Sequence, residues 1–263
     1  MNPAVPSLSD AIRAALLTGD PRSKVMATRK LVRDWRMGRL AGHGDTPMPD
    51  KPAWPDYLEL LPPGRMPKRR RGGSEQTRIA LWHSLAHIEF VAIDLALDMV
   101  GRFGADMAPE FTDDFLAVAA DEAMHFALIE RKLRALLTHY GALPAHGGLW
   151  EAAQLTSEDV AARLALVLEA RGLDVTPATR DRVEAQGDRQ GARLLQRILD
   201  DEIRHVRMGV KHFTKWCEIH QESPADHWKT LVARHFHGTL RPPFNDSARL
   251  AAGLSRDFYT PVA

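Results

Sequence analysis

Two short segments of the sequence repeat one arrangement of possible metal ligands. Residues 121–125 read Asp-Glu-Ala-Met-His, and residues 201–205 read Asp-Glu-Ile-Arg-His. Positions three apart lie on one face of a helix, so the glutamate and the histidine of each segment can bind the same ion. A single Glu-x-x-His would be weak as a motif, because about one is expected by chance in a chain of this composition. Two copies, each with a preceding aspartate, predict a metal site.

A single glutamate stands upstream of each segment at the same distance. Glu89 precedes Glu122 by 33 positions, and Glu169 precedes Glu202 by 33 positions. This spacing allows one helix, a turn and a second helix that returns to the same height. A four-helix carboxylate bundle takes one glutamate from each of two helices and one Glu-x-x-His from each of the other two. The order along the chain therefore predicts two helical hairpins around one dinuclear site.

The four glutamates are expected to lie on apolar faces of their helices. Glu89, for example, has Ala86, Ile93 and Ala96 at positions i−3, i+4 and i+7. A buried carboxylate without a cation is costly, and metal ions satisfy several carboxylates at once. Carboxylate oxygens with one imidazole for each ion suit iron or manganese. We predict two iron ions as the cofactor, with manganese or a mixed iron/manganese pair as alternatives. The six predicted metal ligands are Glu89, Glu122, His125, Glu169, Glu202 and His205.

Helical periodicity and helix-end signals predict an all-α protein built on a ferritin-like four-helix bundle. The main helices are expected at about 74–102, 109–140, 157–171 and 188–219, and the third is expected to stop at Gly172. The predicted parts are an N-terminal helical extension (1–41), a proline-rich connector (42–73), the bundle (74–219) and a partly helical C-terminal tail packed on it (220–263).

The composition of the chain restricts the class of protein and its expected cellular location. The formal net charge is +1, and the chain is 44% hydrophobic and 26% charged, as in ordinary soluble proteins. Cys217 is the only cysteine, which excludes an internal disulfide and a metal site made of several cysteines. The start of the chain lacks a signal-peptide pattern, and no apolar stretch reaches the roughly 20 residues of a membrane span. We expect a cytoplasmic protein that contacts neither a membrane nor nucleic acid.

Five other polar residues are open to more than one interpretation. Asp121 and Asp201 are candidates for holding a ring nitrogen of a ligating histidine, and a solvent-facing position suits them equally well. His83 and His87 are spaced as a helical metal pair, but they lie on a different face from the glutamate of their helix, so a structural role is favoured. The sequence leaves the role of His146 open.

Five stretches of the chain carry a resemblance to a known family. They are Ala86-His87-Ile88-Glu89, residues 119–126, residues 144–150, residues 168–177 and residues 201–205. In these stretches the chain resembles a bacterial family of ferritin-like proteins catalogued as domain of unknown function 455, and the resemblance extends over almost the whole chain. It implies a di-iron site bridged by Glu122 and Glu202, with Glu89 and His125 on one ion and Glu169 and His205 on the other. A more distant resemblance is to the bundle enzyme that hydroxylates a modified tRNA base.

Three functions are compatible with this sequence. The leading hypothesis is a di-iron oxidase or monooxygenase that uses molecular oxygen on a small-molecule substrate, with substrate and electron donor left open. The second is a non-catalytic bundle that handles iron or is stabilised by metal. We expect a monomer or dimer, because the N-terminal extension and the C-terminal tail would obstruct the contacts of a ferritin shell. The third is an RNA-directed hydroxylase that binds through the basic run at residues 68–71, for which a solvated linker is the favoured interpretation.

Overall fold

A computed structural model describes residues 5–67, 74–167, 170–236 and 242–260. Within these ranges all regular secondary structure is helical, apart from two isolated bridges that pair Ser7 with Ala41 and Leu60 with Ala145. The predicted all-α fold class is therefore confirmed.

The chain forms two compact units, residues 1–151 and 152–263. The first contains α1 Leu8–Leu16, α2 Pro21–Arg36, a 3₁₀ turn at Pro63–Arg65, α3 Glu75–Phe103 and α4 Pro109–Ala135, and α5 Gly148–Gln154 runs across the boundary. The second contains α6 Val160–Val167, α7 Arg171–Ala185, α8 Arg189–His220, α9 Pro224–His235, α10 Asp246–Ala251 and α11 Arg256–Tyr259. The finer division of the chain into four parts stays a prediction.

Helix α3 is the central helix of the first unit. It begins after Ser74, whose hydroxyl accepts a hydrogen bond from the Thr77 amide at 3.3 Å, as the N-cap signal predicts. Among the described residues, α3 alone is long and apolar enough to pass for a membrane span. However, α1 and α4 pack against it, and its buried residues include Glu89, Asp94 and Asp98. These are the properties of a core helix in a folded unit.

Helix α4 returns along α3 after a short connection. Pro109 occupies its first turn, where the missing amide hydrogen is not needed. The predicted end near Tyr140 is wrong, because α4 stops at Ala135 and Leu137 adopts a left-handed backbone conformation with φ of 57°. A residue in that conformation cannot continue the helical hydrogen-bond pattern. The two long helices nevertheless pack over much of their length and form the hairpin predicted for residues 74–140.

A buried ion pair attaches α2 to this hairpin. Lys24 Nζ lies 2.5 Å from Asp94 Oδ1, and neither side chain is exposed. The ammonium group also donates to the Ala53 carbonyl at 3.0 Å, and Trp54 Nε1 donates to the other Asp94 oxygen at 3.0 Å. Burial lowers the pKa of Lys24 and raises that of Asp94 to about 6, and the attraction within the pair opposes both shifts. Asp94 on α3 thus binds both α2, through Lys24, and the connector, through Trp54.

The second unit is organised around α8, against which α6, α7, α9 and α10 pack. Asp188 caps α8 by accepting a hydrogen bond from the Gly191 amide at 2.9 Å, close to the predicted start of the fourth helix. The predicted third helix, from about residue 157 to 171, differs from the structure. α6 begins later, at Val160, and is described as far as Val167, and α7 begins at Arg171 after a left-handed Ala170 with φ of 55°.

Gly172, expected to stop the third helix, instead lies in the first turn of α7. A glycine there avoids most of the penalty that it carries in a helix interior, which explains why it does not terminate the helix.

The C-terminal tail is partly helical, as predicted. Arg249 on α10 is fully buried and pairs with Asp174 on α7 at 2.7 Å. Its guanidinium lies over the rings of Phe244 and Tyr259, 5.0 and 4.6 Å from their centroids. These contacts attach the end of the chain to α7 within the second unit.

Candidate metal centre

Three of the predicted ligands come together in the first unit. Glu89 lies on α3, and Glu122 and His125 lie one helical turn apart on α4. The three side chains are 5%, 3% and 0% exposed, so solvent contributes little to their charge balance. The possible ligand atoms of these residues lie within 4.8 Å of one another. The α3–α4 hairpin thus assembles a buried cluster of glutamate and histidine that could hold a metal ion.

The hydrogen bonding of this cluster places one imidazole between two carboxylates. His125 Nδ1 lies 3.2 Å from Glu89 Oε2 and 3.5 Å from Glu122 Oε2. Burial disfavours the imidazolium, but hydrogen bonds to Glu122 and Glu89 outweigh it and raise the pKa of His125. Burial, followed by the charge of Glu122, raises the pKa of Glu89 well above its usual value. Without a metal, therefore, the cluster retains protons, and these protons reduce the repulsion between its two carboxylates.

A metal ion suits this cluster better than protons do. Two buried carboxylates supply hard oxygen donors and two negative charges, and the imidazole supplies one nitrogen donor on the same side. Because the ligands must release protons to bind a cation, metal affinity rises with pH in the range where these groups titrate. The donor set and its burial fit a divalent transition metal.

The second Glu-x-x-His has the same internal geometry in the second unit. His205 Nδ1 lies 3.5 Å from Glu202 Oε1 on α8, which equals the separation of His125 and Glu122 on α4. The imidazole is 5% exposed and the carboxylate 27% exposed. Glu169 and the basic residues 68–71 fall outside the described residues, so the structure does not place them.

The two aspartates that precede the glutamates differ in their surroundings. Asp201 is 8% exposed and forms ion pairs with Arg204 and with Arg197, the latter at 3.7 Å. Both arginines lie on the same helix as Asp201, so these ion pairs form within α8. Asp121 is half-buried. The suggested role of either in orienting a ligand histidine stays a prediction.

A second group of histidines anchors the loop that follows α4. His87 Nε2 donates to the His146 carbonyl at 3.0 Å, so its Nδ1 is free of hydrogen and accepts from the Tyr140 hydroxyl at 2.8 Å. His83 Nε2 accepts the Gly141 amide hydrogen at 2.8 Å. Both rings of α3 are therefore neutral structural groups, as favoured from their position on the helix. Tyr140, which is 2% exposed, could not be assigned from the sequence because nothing local marks it as buried.

This loop anchor predicts an acid-sensitive contribution to stability. Burial lowers the pKa of His83 to about 4, below the ordinary value of 6.5. The stabilisation is complete above pH 6.5 and is lost as the pH falls toward 4, because the unfolded chain binds the proton more tightly. Between pH 7.5 and 5.0 this amounts to about 2 kcal/mol. His83→Gln keeps an acceptor for the Gly141 amide. In urea unfolding, the free energy of unfolding of the wild type should fall between pH 7.5 and 5.0 by about 2 kcal/mol more than that of His83→Gln.

The matched control is His220→Gln on the exposed end of α8. It should retain the wild-type pH dependence of unfolding. An unchanged pH dependence in His83→Gln would show that His83 does not titrate in this interval.

Comparison with known proteins gives a family. The family model described as "Protein of unknown function (DUF455)" matches residues 17–260. A protein of Haemophilus influenzae (strain Rd), described as "Uncharacterized protein", is 36% identical over 213 residues, which cover 78% of this chain and 74% of that protein. No solved structure matches the chain.

Proposed function

The chain belongs to the family described as Protein of unknown function (DUF455), and we propose that it is a dinuclear metal protein, a di-iron oxidoreductase that uses molecular oxygen. The observation that carries the proposal is the buried cluster of Glu89, Glu122 and His125 on the α3–α4 hairpin. The family description names no activity, and the residues of the site support the proposal.

We propose six ligands in two equivalent sets. Glu89, Glu122 and His125 form the first set, and Glu169, Glu202 and His205 form the second. Support for the second set comes from the repeated motif, the equal spacing of 33 positions and the equal 3.5 Å separation within each Glu-x-x-His pair. Six protein ligands leave open positions on two ions. Open positions distinguish a reactive site from a closed structural one.

The residues of this chain would bind the ions, balance their charge and exclude water. Each carboxylate offers two oxygen atoms through which it would hold an ion. Ala86 and Ala119 lie one turn before Glu89 and Glu122 and are fully buried, so small side chains flank the ligands. A bound pair of ferrous ions supplies the electrons that activate oxygen. Iron is favoured over softer metals because oxygen donors predominate in the set.

The remaining features of the proposal follow from the sequence. We propose a small-molecule substrate, a cytoplasmic location and a monomer or dimer. Described helices of the N-terminal extension pack on α3 and α4 in the first unit, so they belong to the fold that carries the proposed ligands.

Anaerobic titration of the purified protein with ferrous iron tests the site. We expect saturation at about two ions for each chain. Exposure to air in the presence of a chemical reductant should then give continued oxygen uptake, in excess of the amount needed to oxidise the bound iron.

The outcomes separate the competing functions. Two ions with uptake that stops once the iron is oxidised would support iron handling and contradict the oxidoreductase. Saturation at one ion would contradict the dinuclear site. No binding of iron or manganese would show that the cluster is structural.

A further inference from the structure

A row of arginines runs along the outer face of α2. Arg22, Arg29, Arg33 and Arg36 are all exposed. At 100° for each residue, the four lie within an arc of about 60°, and at 1.5 Å for each residue they extend over about 21 Å. The opposite face, which includes Val25 and Leu31, is buried, so the orientation of the helix is determined by its packing. We call these four residues the arginine face.

Among the described residues, the arginine face is not held in ion pairs, although Arg22 and Arg33 attract the carboxylates of Asp20 and Asp34 at longer range. In the part of the chain that the structure describes, none of the four arginines forms an ion pair. The only acid within α2, Asp34, is 6% exposed and pairs with Lys30 and Arg39. Four cations held in a line on a rigid helix attract an anionic partner and accelerate its association.

Exposed methionines along one side of the row indicate the class of partner. Met26 and Met37 are 58% and 55% exposed, although both could have been buried at little cost. Arginine and methionine are enriched in protein–protein interfaces, whereas lysine is depleted there. A surface for nucleic acid would combine its cations with aromatic platforms or polar groups. The composition of this face therefore favours an acidic protein.

The arginine face lies on a helix that packs against the hairpin of the candidate metal centre. α2 packs against α4, and Trp35 Nε1 donates to Asp113 on α4 at 2.8 Å. On its inner side, Lys24 Nζ lies 4.8 Å from the centroid of the Phe90 ring, which packs on Phe126 at 5.1 Å. Phe90 and Phe126 directly follow Glu89 and His125 in the sequence. A partner on the arginine face would therefore be separated by α2 from the α3–α4 hairpin, which carries the ligands of the first set.

We propose that the arginine face docks an acidic one-electron carrier protein that reduces the metal centre, an inference that rests on the proposed function. Each encounter transfers one electron from the carrier, which is oxidised, to one ferric ion, which becomes ferrous. Two successive encounters therefore reduce the site by two electrons, and no proton passes through α2. The methionines provide apolar contacts at the interface, and the arginines bind carboxylates of the carrier.

Binding of a strongly acidic [2Fe–2S] ferredoxin to the full-length protein tests the docking. We expect micromolar affinity at low salt that weakens steeply as salt is added. A fourfold variant, with Arg22→Ala, Arg29→Ala, Arg33→Ala and Arg36→Ala, should bind at least tenfold more weakly. Alanine favours helix, so the variant should retain its fold. The control removes the same charge from exposed positions elsewhere, with Arg131→Ala, Arg134→Ala, Arg193→Ala and Lys215→Ala, and should stay within twofold of the wild type.

Stopped-flow reduction of the iron-loaded protein tests the electron transfer. Reduced ferredoxin should reduce the fourfold variant at least tenfold more slowly than the wild type, whereas dithionite should reduce both at the same rate. Equal ferredoxin affinity in the two proteins, or no binding to the wild type, would overturn the proposal. If the fourfold variant lost affinity for single-stranded RNA but not for ferredoxin, the proposal would also be overturned. The arginine face would then be a surface for nucleic acid. Arginine-dependent ferredoxin binding by a protein that holds no iron would leave the docking intact and refute the proposed function.

Discussion

Replacing Glu122 with glutamine should remove most of the metal from the protein without unfolding it. The amide has nearly the same shape as the carboxylate, but it carries no negative charge and is a poor ligand for a hard cation. Because burial and the neighbouring carboxylate already disfavour charge in the metal-free cluster, the apo variant should be at least as stable as the apo wild type. Metal content by elemental analysis should fall at least tenfold, and addition of ferrous iron should no longer raise the melting temperature.

Four further substitutions make this test specific. Glu89→Gln and His125→Gln should reproduce the loss, because both side chains lie in the same buried cluster. Glu110→Gln at the exposed start of α4 and Glu218→Gln near the end of α8 serve as matched controls and should bind metal normally. Full metal content in Glu122→Gln would contradict the assignment of this residue as a ligand.

Replacing Lys24 with methionine should be the most destabilising single change outside the site. The substitution preserves most of the side-chain volume but leaves Asp94 buried without its cation. Breaking a buried pair in this way typically costs about 3–5 kcal/mol, whereas removal of both charges is often nearly neutral. Urea unfolding followed by circular dichroism should show the loss in Lys24→Met and its partial recovery in Lys24→Met/Asp94→Leu.

The exposed Lys30 offers the control for the lysine substitution. Its side chain is 69% exposed, and its partner Asp34 keeps a second cation, Arg39, at 3.6 Å. Lys30→Met should change the stability by less than about 1 kcal/mol, as expected for a surface pair. An equal loss in Lys24→Met and Lys30→Met would show that the buried pair has no special role in attaching α2.

The largest consequence of the Lys24–Asp94 pair concerns the position of α2. This helix carries the arginine face on one side and contacts Phe90 through Lys24 on the other. A loosened α2 should therefore weaken carrier docking in Lys24→Met even though Lys24 itself is buried.

The sequence by itself determined the helical nature of the protein and the identity of the candidate ligands. Helical periodicity and capping are local properties, so Ser74, Pro109 and Asp188 mark starts that the structure reproduces within about two residues. The pairing of glutamate with histidine is likewise local, because positions three apart share a helix face whatever the rest of the chain does. For this reason, both Glu-x-x-His pairs have the same 3.5 Å separation.

Only the tertiary structure decided which distant residues meet. The 3.2 Å contact between Glu89 and His125 depends on how α3 and α4 pack, and periodicity does not specify this register. Lys24 and Asp94 are separated by 70 positions, and no local pattern pairs them. The left-handed Ala170, two residues before the glycine that was expected to end the helix, has no local signal either, because alanine favours helix. A charged side chain requires a partner of opposite charge only where it is buried, and burial depends on the whole fold.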